Sequence, residues 1–432
     1  MAIGLGATDR ILTSKSGDLF VWQSGDISSK TTGIATVSGL ANTEVFGGSV
    51  AIGDGRIVVG SPWYDEPFPG DNQSGKVYIY DLNGNPVGVQ TLYNPRSVDD
   101  SYYGASVAVG NGRIVVGSPG DGNDIGTRQS GAVFIYDLNG NPVGVKTITD
   151  PNGKVTEWLG TSVAVGNGRI VVGAPGWDES SFDTEVGKVF IYDLDGNPVG
   201  VHTLTNLSYI NGGGDIDFFG RSVAVGNGKI VVGSPNFGSS GNITSISNLL
   251  TQVTSFGIGN IEIFDLNGNR TGIITSPAYG TGVYDYFGNS VAVGSERIVV
   301  GCPGWNSQRG RVIVYDLDGN TVGIITHPNT AAADFFGYSV AVGNGRIVVG
   351  AAYDDDNNTN AGSIHIYNID GNYIESFYGS AFNENFGFSV DVGNGRIVMS
   401  SSYVGFNGTG KIHIKSTPQV YTLHDAIDLH IR

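Results

Sequence analysis

The sequence predicts an all-β protein: a β-propeller of four-stranded antiparallel blades, eight in number, with seven as the alternative. Three observations predict it. A phrase of the form SVAVGNGRIVVGSP recurs from Ser49, Ser106, Ser162, Ser222, Ser290, Ser339 and Ser389. A second phrase, GKVYIYDLNGN and its variants, follows from Gly75, Gly131, Gly187, Gly259, Gly310 and Gly362, with a degenerate copy from Gly410. The glycine closing the first strand of each copy recurs at intervals of 49 to 68 residues. That length suits a unit of four strands with two variable loops.

Each element has a local cause. SVAVG and RIVVG flank Asn-Gly, and a type I′ turn needs positive φ at both central residues. The third strand, of VFIYD type, and the fourth, of VGVKT type, flank Leu-Asn/Asp-Gly-Asn, a second tight turn. Third-strand interiors are apolar at successive positions, as in Val133, Phe134, Ile135 and Tyr136. A sheet with one wet face alternates, so such runs imply cover on both faces. Sheets packed side by side around an axis supply it. Small residues in the first strand (Ser106, Ala108, Gly110) suit crowding at that axis. A parallel β-helix is the competing architecture, but its rungs are shorter and lack paired tight hairpins.

The N-terminal segments MAIGLGATDRILTS and SGDLFVWQSGD align with the two phrases as a shortened eighth copy. The expected blades are 1–40, 41–98, 99–154, 155–210, 211–278, 279–329, 330–380 and 381–415. Residues 416–432 are expected as a closing strand or an assembly tail. The seven-blade alternative has the N-terminal segment displaced or completing the last blade.

Composition narrows the function classes. Glycine is 69 of 432 residues, charged residues are 15% and the net charge is −17. An acidic chain without a basic block is a poor partner for nucleic acid or an anionic membrane. The longest apolar runs, four to six residues, are too short for a membrane-spanning helix. The first twenty residues lack the pattern of a secretory signal. A single cysteine, Cys302, excludes an intramolecular disulfide framework and a multi-thiolate metal site.

Phe-Gly precedes the first strand at Phe46-Gly47, Phe219-Gly220, Phe287-Gly288, Phe336-Gly337 and Phe386-Gly387, with variants Tyr103-Gly104 and Leu159-Gly160. Gly-Ser/Ala/Cys-Pro follows the second strand at residues 60–62, 117–119, 173–175, 233–235 and 301–303. This pairing resembles the FG-GAP repeat of integrin α-chain-like propellers. The family's calcium loop, of D-x-D-G-x-x-D type, lies between the first two strands. Here that connection is only Asn-Gly, so no family calcium site carries over. The phrases RIVVGAP, YDDDN and IYDLDGN together look similar to virion proteins of marine bacteriophages. That resemblance implies a non-enzymatic virion component, on the particle surface, tail or fibre. Its expected partners are other virion proteins or a host-surface receptor or glycan, and a homo-oligomer is left open. The alternatives are a bacterial surface or secreted adhesin and a propeller glycoside hydrolase.

An antiparallel meander places the 2–3 and 4–1 connections on one face. They are the long, variable ones, and recognition sits on variable loops held by a rigid scaffold. The expected ligand-binding residues are Trp63, Tyr64, Trp177, Phe237, Trp305, Tyr353 and Tyr403, all in 2–3 loops; the competing reading has each covering a blade rim. Asp354, Asp355 and Asp356 are the densest carboxylate cluster and the candidate metal ligands, for Ca2+. No other cofactor is expected. Consecutive aspartates lack the alternate spacing of a wrapped calcium loop, which favours a solvated acidic loop. No catalytic motif occurs, and none of the six histidines has paired metal spacing within a loop. One basic residue per blade follows the Asn-Gly turn (Arg56, Arg113, Arg169 and their equivalents) and is expected to pair with the neighbouring blade's YDLNG Asp or a carbonyl.

Overall fold

The computed structural model describes residues 10–13, 19–22, 34–39, 45–64, 73–96, 99–122, 129–150, 157–177, 186–206, 217–236, 258–277, 285–329, 333–402 and 410–417. The Asn-Gly hairpins form where the sequence puts them. Asn111 and Gly112 both take positive φ, 51° and 76°, and Gly110 pairs with Arg113 across the turn. The second tight turn is held by its own aspartate. In blade one Asp81 accepts hydrogen bonds from the N–H groups of Asn83 and Asn85, at 2.8 and 2.9 Å.

Seven four-stranded antiparallel sheets result. Blade one is Ser49–Gly53, Arg56–Ser61, Lys76–Tyr80 and Pro86–Tyr93. Blade two runs from Ser106 to Ile148, blade three from Ser162 to Thr205 and blade four from Ser222 to Thr275. Blade five runs from Ser290 to Thr326 and blade six from Ser339 to Tyr378. Blade seven takes three strands in sequence, Phe386–Gly393, Arg396–Ser401 and Lys411–Ser416. Its fourth is Ile34–Ser38, from the other end of the chain, with Val37 opposite Ile412.

The expected eighth blade, 1–40, is therefore not formed. Arg10–Thr13 pairs with Leu19–Trp22 as a two-stranded sheet, which among the described residues keeps only the aligned second and third strands of that copy. The physical reason is the last repeat. It supplies only three strands, and an uncovered third strand would leave a row of unpaired backbone groups. The segment that would have completed the N-terminal copy completes blade seven instead. Residues 418–432 of the expected tail lie outside the described residues.

The ring closes through its inner strands. The closing glycine of each lies against the next blade's inner strand: Gly53 on Val109, Gly110 on Val165, Gly166 on Val225, Gly226 on Val293, Gly294 on Val342 and Gly343 on Val392. The series then returns, with Gly393 on Ile52. Second and third strands are buried on both faces, as their unbroken apolar runs imply. The outer strands are not; Val89, Val145 and Val201 are exposed, because neighbouring blades diverge away from the axis. Among the described residues one helical turn occurs, Trp305–Gln308, and it holds three left-handed residues, Asn306, Ser307 and Gln308.

The repeated phrases are mostly inter-blade contacts. The aromatic of FG is buried (Phe46, Tyr103, Phe219, Phe287 and Phe336) and bridges to the preceding blade, as Tyr103 does to Gly75 and Phe336 to Gly310. The serine opening each inner strand donates to the carbonyl of the next blade's FG glycine: Ser49 to Gly104, Ser106 to Gly160 and Ser162 to Gly220, at 2.7 to 2.8 Å. The repeated arginine reaches the next blade's tight turn. Nε of Arg56, Arg113 and Arg169 donates to the carbonyls of Leu138, Leu194 and Leu266, each at 2.9 Å. Across the blade boundary the carboxylate it meets is at the turn's third position, Asp195 for Arg113 and Asp370 for Arg297. The YDLNG aspartate is occupied by its own turn.

The seam between blades seven and one is built differently. Ser400 stands where the other second strands have glycine, and its Oγ accepts from the N–H of Ser389 at 2.9 Å. Ser389 Oγ in turn accepts from Val50 N–H at 3.1 Å. Asp391, where other copies have alanine, accepts from Ile52 N–H at 2.7 Å. Removal from water pushes the Asp391 carboxyl up to about 6, despite the two N–H groups it accepts from. Its folded value exceeds the unfolded one, near 4. The folded state therefore holds the extra proton between about pH 4 and 6, and stability falls as pH rises through that window. We expect Asp391→Asn to flatten the pH dependence of the melting temperature there, by an amount equivalent to about 1–3 kcal/mol. Thermal melts of the two proteins from pH 4 to 7 check it; parallel curves would refute the assignment.

Candidate functional site

On the axis, at the end carrying the 2–3 and 4–1 loops, the propeller opens into a depression. Seven of its lining residues are one per blade, each directly after the FG pair: Gly48, Ala105, Thr161, Arg221, Asn289, Tyr338 and Phe388. Pro62 and Trp63 of blade one complete it. The fold explains the convergence. FG anchors the start of each inner strand near the axis, so the next residue faces the mouth of the ring. The phrases on both sides recur in all copies, yet this one position holds seven different residue types.

Its chemistry is mixed. Arg221 is half-buried, and among the described residues no carboxylate pairs with it. Burial lowers its pKa from the usual arginine value, but a guanidinium remains charged at any ordinary pH. The group electrostatically coupled to it is Tyr338, whose phenol burial pushes well up and which shares a hydrogen bond with Tyr353. Asn289 Nδ2 donates to the Tyr338 carbonyl at 3.3 Å. Thr161 Oγ1 donates to the Trp158 carbonyl at 2.8 Å. Tyr338 and Phe388 stand with ring centroids 5.2 Å apart. On the wall formed by blades one and two, Trp63 meets Tyr102 edge to face at 6.4 Å.

Behind that wall Tyr102, Trp158 and Phe218 cluster with Trp63 and Ala105. All three precede the FG pair and hold positive φ, between 51° and 55°. Bulky residues rarely adopt this conformation, and it costs of order 1–3 kcal/mol each.

The aromatics expected to form a binding ring divide between two places. Trp63 lines the depression, and Tyr353 stands behind it, 5.8 Å from Tyr338 and 5.2 Å from Phe335. Tyr64, Trp177 and Trp305 occupy the next register position and turn to their own blade. Each covers the basic residue that opens the third strand: Lys76 Nζ lies 3.5 Å from the Tyr64 ring, Lys188 Nζ 3.3 Å from Trp177 and Arg311 Cζ 5.3 Å from Trp305. Cation–π contact with a buried or partly buried lysine or arginine gives them a structural role. Phe237 and Tyr403 lie outside the described residues.

The expected metal triplet does not converge. Asp354 is buried, with Oδ2 3.2 Å from His327 Nε2. Asp355 accepts from Asn360 N–H at 2.6 Å, and the exposed Asp356 accepts from Asn329 Nδ2. Asp354 belongs to a buried polar knot with His327, Asp334 and His365. Burial raises Asp334 to about 6 and lowers His365 to about 3. Burial also opposes ionisation of Asp354, but hydrogen bonds from His327 and Ser363 outweigh it and hold its pKa below the usual range. Cys302 is buried with a raised thiol pKa, as a small core residue would be.

Sequence reasoning missed the axial seven. The signal was present as a single variable position between FG and SVAVG, but only the ring brings positions some fifty residues apart to one place.

Among the described residues, no helix is long and apolar enough to cross a membrane. The FG-GAP repeat family matches residues 35–80 and 320–367. The first match spans the closing strand and three strands of blade one; the second runs from the outer strand of blade five into blade six. No curated protein matches the chain. With FG residues stapling successive blades of a closed all-β ring, the chain is an FG-GAP-repeat β-propeller.

Proposed function

We propose that the protein is a non-enzymatic recognition propeller of a bacteriophage virion, with the axial depression on its loop face as the seat of its ligand. The observation that carries the recognition reading is the distribution of variation. The scaffold repeats almost without change, while one residue per blade around a single opening differs in every copy. Invariant scaffolding with variable lining is the arrangement of a binding surface. The virion setting rests on the similarity of its repeat phrases to phage virion proteins.

The lining also favours a class of ligand. A guanidinium with no carboxylate partner among the described residues attracts a carboxylate or sulfate, and aromatic faces of Trp63, Tyr338 and Phe388 suit the apolar face of a sugar ring. Asn289 and Thr161 offer adaptable polar groups. An acidic glycan on a host surface combines these features.

Binding of the purified protein to arrays of acidic and neutral glycans tests this. Carboxylate- or sulfate-bearing glycans are expected to bind. Arg221→Ala is expected to weaken binding roughly 10- to 100-fold, the loss of one charged hydrogen-bonded contact, with an unchanged melting temperature. Binding restricted to neutral glycans, or indifferent to both Arg221→Ala and Trp63→Ala, overturns the axial seat. Mass spectrometry of purified particles tests the setting; absence of the chain from them leaves an adhesin as the reading.

A further inference from the structure

We propose that His327, Asp354 and His365 form a binding site for a borderline divalent metal ion, zinc foremost, which ties the end of blade five to blade six. His327 directly follows the outer strand of blade five, Thr321–Thr326. Asp354 lies in the 2–3 loop of blade six, and His365 sits on that blade's third strand, Ser363–Asn368. One ligand atom from each lies within 4.8 Å of the other two. The His327 Nε2 to Asp354 Oδ2 distance of 3.2 Å is already close to that of two ligands around one ion at about 2.0–2.2 Å. Bringing in the imidazole of His365, whose ligand atom lies within 4.8 Å of the other two, needs a movement of up to about 1.5 Å.

The surroundings supply what ligating histidines require. A metal-bound imidazole turns its other nitrogen to a carboxylate, carbonyl or hydroxyl, which fixes the ring. His327 Nδ1 faces Asp334 Oδ2 at 3.8 Å and the backbone of Asn329, whose N lies at 3.2 Å and O at 3.4 Å. His365 Nδ1 is 2.6 Å from Ser376 Oγ, and Ser363 Oγ stands 2.8 Å from its Nε2. Asp334 is the independent sign. It is fully buried, and neither of its carboxylate oxygens has a hydrogen-bond partner. A dry, unsatisfied carboxylate is costly unless a positive charge lies nearby.

Comparison with the other blades shows which charge is missing. The third strand opens with Lys76 in blade one, Lys188 in blade three and Arg311 in blade five. In blade five Arg311 reaches Asp285, the equivalent of Asp334, at 2.6 Å. Blade six opens with Ser363, so the buried carboxylates Asp334 and Asp354 have no lysine or arginine at that position; Asp334 faces the His327 imidazole, and Asp354 faces that imidazole, the Ser363 hydroxyl and the Asp356 N–H. A divalent ion at His327, Asp354 and His365 supplies the cation that Arg311 supplies to Asp285 in blade five. Two imidazoles with one carboxylate suit zinc, cobalt or nickel; calcium prefers a shell of oxygens.

The test is a metal titration of the tag-free full chain after chelation. One Zn2+ per chain is expected, with a higher melting temperature that chelator reverses. Co2+ is expected to give visible ligand-field bands of mixed nitrogen and oxygen coordination. His327→Gln and Asp354→Asn are expected to abolish both signals. Asp334→Asn, which alters only the group behind His327, is expected to weaken binding about 10- to 100-fold. Absence of binding and of Co2+ bands in the unmodified chain overturns the proposal, whatever the variants do. So does one-to-one binding that survives both His327→Gln and Asp354→Asn, or a site that Ca2+ fills in preference to Zn2+. The glycan experiment reads a different part of the molecule, so either reading can fail alone.

Discussion

A chain beginning at residue 40 is expected to lose most of its cooperative stability, whereas one beginning at residue 24 is expected to melt close to the full chain. The first lacks Ile34–Ser38, the outer strand of blade seven; the second keeps that strand and, among the described residues, lacks only the two-stranded Arg10–Trp22 hairpin. Five residue pairs join the closing strand to Lys411–Ser416. At about 1 kcal/mol net for each ladder hydrogen bond, with Val37 partly buried against Ile412 and Ile414, its removal costs about 4–6 kcal/mol. A domain is stable by only about 5–15 kcal/mol, so this is a large share. The closing strand also joins the two ends of the chain, and without it blade seven ends on an exposed edge beside blade one. Denaturant melts followed by far-UV circular dichroism check the expectation, and a synthetic peptide spanning residues 30–40 should restore part of the loss. If the two truncations behave alike, closure by the N-terminal strand is wrong.

The second large effect is expected at the glycine ending the RIVVG strand. A Cβ on Gly173 would stand 2.1 Å from the Gly220 carbonyl oxygen of the next blade and 2.4 Å from Ser162 Oγ. The same approach recurs at Gly60, Gly117, Gly233, Gly301 and Gly350. The first obstacle is backbone, pinned by the serine bond and the FG staple, so it cannot rotate aside. Gly173→Ala is expected to cost more than about 3–4 kcal/mol and to separate blades three and four locally. Gly168, in the Asn-Gly turn, supplies the contrast. A Cβ there meets nothing within 4 Å, and only its φ of +76° resists substitution. Gly168→Ala is expected to cost about 1 kcal/mol. Equal destabilisation of the two variants would mean that conformational freedom, and not blade contact, keeps the strand glycine.

Blade seven shows how the ring accommodates an exception to that rule. Its second strand reads RIVMSS, with Ser400 at the glycine position. A Cβ on the facing Gly47 would lie 3.0 Å from that of Ser400. Ser389, Ser400 and Asp391 fill the seam with side-chain bonds.

By itself the sequence determined the blade. Apolar runs, Asn-Gly hairpins and the aspartate-held second turn are local, and a strand or turn needs only its own residues and a few neighbours to be specified. The FG motif and the strand glycines were legible as repetition, although their purpose, contact with the adjacent blade, was not. The tertiary structure decided how many blades there are, because closure is a property of the ring. Whether RILT and LFVW begin an eighth blade or stand apart depends on which edge Ile34–Ser38 covers, and that edge is nearly four hundred residues away. The structure also decided the candidate site. Seven residues become neighbours at the axis only because seven equivalent positions are brought round to it, and His327, Asp354 and His365 meet only where the outer end of one blade rests on the next. Local pattern encodes periodicity and burial; the choice of neighbours follows from the packing of whole sheets, which no short window of sequence contains.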